Sequence, residues 1–364
     1  MTDGQNIRQL TSLRFFAAFW VVFFHYWPNL TAATPAIVDK GYLGVELFFV
    51  LSGFILSHVY RTSVETGRFR YFSFLWARLA RVYPLHLATL LGMGLMAGAA
   101  TLAGLAVDPN ILSWASLPAN LLMVHAWGFA PVAGWNHPSW SISAEWFAYL
   151  TFPLFAWTAL KLKDRPVVAV AGAAALLAGL YAVFPLVAGF PLTKATISWG
   201  ALRIVPCFAY GCALHSLWRA RPAVSKLVSG LGALFFGAGA LGVAALGGPD
   251  TMIVLALGAL IFFLARLAQS GSGVFANPAF VYLGEISYSI YMICVPWKIV
   301  FVNGATRILK LNGEILPPAL WFIMLIGVIP LAALSYHLIE HPARMRMKLW
   351  ADSWRVRRPC VAGA

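Results

Sequence analysis

The sequence predicts an all-α, polytopic integral membrane protein with about ten transmembrane helices around a central polar cavity. Three observations carry that reading. Of 364 residues, 61% are hydrophobic and 10% charged, against roughly 25% charged in a soluble domain, so a water-soluble fold would lack polar surface. Apolar runs near the ~20 residues that a helix needs to cross hydrocarbon recur along the whole chain. The short alternating segments of a β-barrel are absent.

In order, the spans read as residues 11–28, 41–60, 84–106, 144–160, 166–187, 196–217, 227–246, 251–268, 279–300 and 318–339. Lys and Arg concentrate on the cytoplasmic side of a membrane protein, which tests this count. With a cytoplasmic N-terminus, the inner connections hold Arg61, Arg68, Arg70, Arg78 and Arg81, then Lys161, Lys163 and Arg165, then Arg219, Arg221 and Lys226, then Arg266. The tail adds Arg344, Arg346, Lys348, Arg355, Arg357 and Arg358, whereas the outer connections hold only Lys40, Lys194, Arg307 and Lys310. This asymmetry predicts ten spans with both termini cytoplasmic.

Residues 1–345 read as one transmembrane domain and 346–364 as a basic cytoplasmic tail, without internal repeats. The net charge of +14 is therefore mostly an inner-surface charge, suited to anionic lipid head groups or an anionic substrate. No soluble basic face remains for nucleic acid. Cys207, Cys212, Cys294 and Cys360 show no metal-ligand spacing, and no disulfide is expected. Arg14 and His25 beside a weak cleavage pattern predict that the first helix is retained rather than removed as a signal peptide. Two connections exceed simple turns. Residues 61–83 suit a cytoplasmic interfacial helix, and 107–143 a partly re-entrant or surface-lying cap.

Candidate chemistry begins on the first helix. Eleven positions turn through about 1100°, so Arg14 and His25 share one face, roughly 16 Å apart along the axis. Ionisable residues inside spans tend to face polar cavities; a structural or interfacial role for His25 carries about equal weight at this point. In GYLGVELFFVLSGFIL, the small residues Gly41, Gly44, Ser52 and Gly53 permit close helix approach. Glu46 in that span is a candidate to face the His25 cavity. Arg78 and Arg81, three apart, are either positive-inside anchors or a phosphate clamp. In HPSWSISAEW, Ser143 is a candidate N-cap that would put Glu145 in the first helical turn. Topology sets His137, Trp140, Ser141 and Glu145 on the His25 side. Tyr288 lies near the inner end of the ninth span, and Glu340 and Pro342 close the last one, with Pro as a helix stop.

Arg14 with ten residues before His25, GYLGVELFFVLSGF, RLARVYPLH, WSISAEW, LGEISYSIYMI and IEHPAR occur in that order. Together they resemble the acyltransferase-3 family of bacterial membrane O-acyltransferases. The resemblance implies a bacterial inner-membrane enzyme that moves an acyl group, most often acetyl, from acetyl-CoA as co-substrate to a sugar hydroxyl. It implies His25 as the catalytic histidine, with Arg14, Arg78 and Arg81 on the acyl-CoA side. Trp140, Ser141 and Glu145 match the family's outer motif. Cys294 stands where the family often has histidine, so no role carries over there. An appended esterase-like domain, present in some members, is not expected. Exopolysaccharide or related glycans, assembled on a polyprenyl carrier, are the favoured acceptors.

The resulting expectation has His25 as general base, Glu145 or alternatively Glu46 orienting it, and Arg14, Arg78, Arg81 and Tyr288 binding cofactor. Glu46, His137, Trp140 and Ser141 are expected on the substrate side, with membrane lipids around the bundle and no metal. A covalent acetyl-histidine is the competing mechanism. A flippase of polyprenyl-linked glycans, with His25 relaying protons, is the alternative from another class.

Overall fold

Long apolar runs free of interior charge become helices, and where the sequence interrupts them the helices break. A computed structural model describes residues 7–356 apart from 106, 109, 223, 270–272 and 312, with backbone alone at 352–356. Cys360, Arg357 and Arg358 lie outside the described residues, as does the Arg355 side chain. In chain order the first helices are α1 (Arg8–Tyr26), α2 (Ala36–Asp39), α3 (Gly44–Glu65), α4 (Tyr71–Leu102) and α5 (Leu117–Leu121). The middle of the chain forms α6 (Trp140–Leu150), α7 (Phe152–Lys161), α8 (Pro166–Ala188), α9 (Gly200–Ala220) and α10 (Lys226–Ala245). The rest forms α11 (Asp250–Ala268), α12 (Pro278–Glu285), α13 (Ser287–Ile308), α14 (Pro318–Ser335) and α15 (His341–Val356). No strand occurs among the described residues.

Among the described residues, seven segments are long and apolar enough to cross a membrane: Ala36–Glu65, Tyr71–Leu102, Pro166–Ala188, Lys226–Ala245, Asp250–Ala268, Ser287–Ile308 and Pro318–Ala351. The sequence predicts ten spans, and seven meet these measures of length and composition. The expected first and sixth spans exist as α1 and α9, but Arg8, Arg14 and His25 dilute one, and Arg203, His215 and Arg219 the other. The expected fourth span divides at Thr151 into α6 and α7, with Pro153 in the first turn of α7. The interfacial helix expected over 61–83 is divided: 61–65 end α3, and 71–83 open α4, which runs unbroken through Pro84 to Leu102.

The last span also departs from expectation. Pro342 does not stop it. The chain passes through a π-helical turn at Tyr336–Glu340 and continues as α15, with Pro342 in its first turn. In α15, Trp350 stacks near Trp76 of α4 at 4.9 Å, and Trp76 Nε1 donates to the Met347 carbonyl at 2.8 Å.

Small residues set the closest helix contacts, as the second span predicts. A Cβ at Gly53 of α3 would overlap the Phe208 carbonyl of α9, and a Cβ at Gly211 would overlap that of Val50. The two glycines thus open each other's backbone to contact, the geometry that membrane helices use in place of a hydrophobic drive. Gly41 and Gly44 meet the Trp20 and Ala17 carbonyls of α1 in the same way. Gly53→Ala is expected to cost about 1–3 kcal/mol through overpacking and to lower the thermal midpoint in detergent. Gly92→Ala, whose Cβ would meet open space, is the control expected to leave that midpoint in place.

Candidate active site

The site draws on α1, α3, α4, α6 and α13, and on the turn that precedes α6. In α13, Pro296 has no N–H to offer the carbonyl four residues earlier, which leaves the Met292 carbonyl free. Asn136 Nδ2 donates to it at 3.0 Å. That bond docks the turn His137–Ser139 onto α13, and Tyr291 and Ser141 fasten it by donating to the Pro138 carbonyl at 2.9 and 3.3 Å. The turn leads directly into α6, whose N-cap is Ser139. Ser143 is not the cap expected; its Oγ accepts the Ala126 N–H at 3.0 Å and holds the preceding connection. Glu145 consequently lies in the second turn of α6, deeper than expected.

That shift places Glu145 in a pocket with the arginines. Arg14 of α1, Ser52 of α3, Arg78 and Arg81 of α4, Ser141, Glu145 and Tyr149 of α6, and Tyr288 and Tyr291 of α13 line it. Ser52 Oγ donates to Glu145 at 2.5 Å. Arg81 pairs with Glu340 at 2.5 Å, and the second Glu340 oxygen accepts from Ser289 at 2.8 Å. Tyr288 lies under Arg81 at 5.9 Å and donates its own hydroxyl to the Val82 carbonyl at 2.7 Å. Arg78 differs. Its guanidinium stacks over Tyr60 at 5.7 Å, while its buried Nε has no hydrogen-bond acceptor. A buried donor without an acceptor is costly, and a planar guanidinium is matched by phosphate oxygens. Three arginines and one carboxylate, Glu145, line the pocket, with Glu340 behind it between Arg81 and Arg344; the lining is net positive, so it suits an anion.

His25 lies at the far end of α1, in the helix's last turn. The helix is unbroken from Arg8 to Tyr26, so the expected spacing from Arg14 of roughly 16 Å holds. His25 packs edge-on against Phe24 at 5.2 Å, and His137 and Lys298 lie within electrostatic reach of its ring. Burial holds His137 below the ordinary histidine range. His25 does not line the arginine pocket; the turn at Pro138 is bonded to Ser141 and Tyr291 of the pocket wall, and His137 of the same turn is the histidine within electrostatic reach of His25.

Neither carboxylate expected to orient His25 does so. Glu145 is bonded to Ser52 as described. Glu46, with no exposed surface, forms a two-pronged pair with Arg203 of α9 at 2.5 and 3.0 Å. Arg203 also donates to the Ala195 carbonyl at 2.8 Å and lies 4.5 Å over the Trp140 ring. Glu46 and Trp140 thus belong to one buried cluster that anchors α3, α6 and α9, and both Glu46 oxygens are engaged by Arg203.

Residues 7–337 match the family described as an acyltransferase domain. The chain belongs to that acyltransferase family. Among similar proteins, Acyltransferase MdmB of Streptomyces mycarofaciens is 35% identical over 173 residues, which cover 44% of this chain and 42% of the relative. A provisionally named O-acetyltransferase of Staphylococcus aureus (strain COL) is 24% identical over 383 residues, covering 95% of this chain and 58% of the relative. Protein 2 in the picA locus of Rhizobium radiobacter is 40% identical over 81 residues, 22% of this chain and 40% of the relative. The chain thus spans about half the length of the curated relatives it matches. No solved structure matches it.

In this acyltransferase-family chain the sequence-derived set divides into three groups. Arg14, Arg78, Arg81, Ser141, Glu145 and Tyr288 meet in one pocket. His25 and His137 approach each other beyond it, and Glu46 and Trp140 form the buried anchor with Arg203. Four contributors were missed. Arg203 and Lys298 are cations inside expected spans, a placement that flags function or pairing. Ser52 was read only as a packing residue, and Asn136 carries no signal until Pro296 is seen to free its acceptor.

Proposed function

We propose that this protein is a membrane O-acetyltransferase: it moves the acetyl group of acetyl-CoA to a hydroxyl of a cell-surface sugar, with exopolysaccharide carried on a polyprenyl lipid as the favoured acceptor. The observation that carries the reading is the unbroken α1, which puts Arg14 in an arginine-lined pocket and His25 on the same helical face about 16 Å further on. Family membership supports the class of reaction. The names of the relatives, an acyltransferase and an O-acetyltransferase, support it further.

In this reading Arg14 and Arg78 take the phosphates of the donor, with Arg81 held in place by Glu340. Tyr288 supports Arg81 from beneath, and Glu145, fixed by Ser52, sets the spacing of the cations. A pantetheine arm is long and flexible enough to carry the thioester past Ser141 and Tyr291 toward His25. There the neutral imidazole takes the proton of the acceptor hydroxyl as its oxygen attacks the thioester carbonyl. The carbon–sulfur bond breaks, the imidazolium returns the proton to the departing thiolate, and an acetyl ester and free CoA remain. His137 lies on the acceptor side. The basic residues favour an inner-membrane protein with both termini cytoplasmic, which brings the arginine pocket to the acetyl-CoA pool.

Arg78→Ala tests the donor assignment. A charge-assisted contact of this kind contributes about 1.5–3 kcal/mol, so the dissociation constant for acetyl-CoA is expected to rise about tenfold to a hundredfold. Thermal stabilisation of the purified protein by acetyl-CoA reads the change. Equal stabilisation of wild type and variant would remove Arg78 from the donor site, and no stabilisation of wild type would remove acetyl-CoA as the donor.

A further inference from the structure

The C-terminal turn of α1 is held in a way the proposed reaction does not by itself explain. A helix ends with carbonyls that have no partner within it. Here the Tyr26 carbonyl accepts from Trp321 Nε1 of α14 at 2.8 Å, and the His25 carbonyl accepts from Lys298 Nζ of α13 at 2.9 Å. Tyr26 returns a bond, its hydroxyl donating to the Cys294 carbonyl at 2.8 Å. Trp321 performs its share as a neutral donor. Lys298 brings a charge, half-buried; among the described residues no carboxylate forms an ion pair with it, and the exposed Glu314 reaches it only through longer-range attraction.

An ammonium in such a place, whose nearest carboxylate is the exposed Glu314, not bonded to it, is costly. A glutamine or a second tryptophan would satisfy the same carbonyl without that cost, so the carbonyl alone does not account for a lysine. The negative end of the α1 dipole favours a cation here, and the amine meets the backbone of the residue whose ring does the proposed chemistry. Lys298 sits two residues beyond Pro296, so one short stretch of α13 both docks the His137 turn, through Met292, and holds His25.

We propose that Lys298 is a positioning residue for His25, and that its charge, as well as its hydrogen bond, fixes the last turn of α1 in the geometry that transfer requires. The inference rests on His25 being the base of the proposed reaction. The test uses membranes from a strain lacking the chromosomal copy and carrying fluorescently tagged full-length variants, so that rates are normalised to folded protein. Labelled acetyl-CoA is the probe and the membranes supply their own acceptor. Misplacing a reactive group by about 1 Å costs up to a hundredfold. Lys298→Met and Lys298→Gln are therefore expected to lose about tenfold to a hundredfold in kcat while KM for acetyl-CoA stays within about twofold of wild type. Lys298→Arg, which keeps charge and donor, is expected to recover most of the rate.

A purely structural lysine would let Lys298→Gln work like wild type, and that result overturns the proposal. So does a loss expressed in KM rather than kcat. If Lys298→Met fails to fold, Lys298→Gln against Lys298→Arg still decides. His25→Ala is run alongside. An inactive His25→Ala with a fully active Lys298→Gln overturns the lysine inference alone, whereas an active His25→Ala, or a wild type that moves no label, overturns the reading beneath it.

Discussion

His25→Ala is expected to slow acetyl transfer by about 10²–10⁴-fold, the range that a positioned general base contributes, while acetyl-CoA binds as tightly as to wild type. Both halves follow from α1. The ring stands in the last turn of the helix, and the pocket that holds Arg14, Arg78 and Arg81 does not include it. On the proposed mechanism, losing the imidazole removes the proton acceptor and leaves the residues of the arginine pocket in place. Among the described residues no side chain forms a hydrogen bond with the His25 ring, so its removal leaves no buried partner unsatisfied and the fold is expected to survive. Initial rates with labelled acetyl-CoA in membranes and thermal stabilisation by acetyl-CoA read the two quantities separately. Loss of both together would place His25 in donor binding instead.

The largest expected effect on stability comes from Arg203→Met. Glu46 has no exposed surface and Arg203 is 2% exposed. Their pair is compensated by two mutual hydrogen bonds, the Ala195 carbonyl and the face of Trp140. Removing the guanidinium strands a carboxylate among apolar side chains, and breaking a buried pair from one side costs about 3–5 kcal/mol. Arg203→Met combined with Glu46→Gln leaves no charge behind and is expected to recover a substantial part of that loss. Unfolding in detergent micelles at fixed lipid content checks this. A double variant no more stable than the single one would mean that the guanidinium matters through packing on Trp140 and not through its charge.

What was legible in the sequence follows the range over which a sequence signal acts. The spacing of Arg14 and His25 depends on one helix and nothing else, and α1 keeps it. The tight approach of α3 was legible in Gly53 because a missing side chain has only one effect in a packed helix. Pairings across the chain were not. Glu46 and Arg203 are separated by 157 residues, and either could have met another charge; a polar cavity at His25 was the nearer guess for Glu46. Glu145 was displaced by a local effect. The HPS turn was read as a loop, but Pro138 suits the start of a helix, so α6 begins at Trp140 and carries Glu145 past the mouth and down to Ser52. Seven segments, not ten, meet the measures of length and hydropathy among the described residues: the ionisable residues of α1 and α9 lower their apolar character, and some of those same residues line the pocket and build its anchor.

Lys298 shows the same limit from the functional side. Its place inside an expected span flags function or pairing but names no partner. Only the fold brings its amine to the carbonyl of His25.

The central claim, that His25 drives transfer of an acetyl group to a surface glycan, is tested most directly by ester analysis of that glycan. A deletion strain is complemented in parallel with wild type and with His25→Ala at matched membrane levels, and base-labile O-acetyl groups on the isolated carbohydrate are measured. The account predicts that one O-acetyl ester disappears on deletion, returns with wild type and stays absent with His25→Ala. An ester that returns equally with both would contradict it.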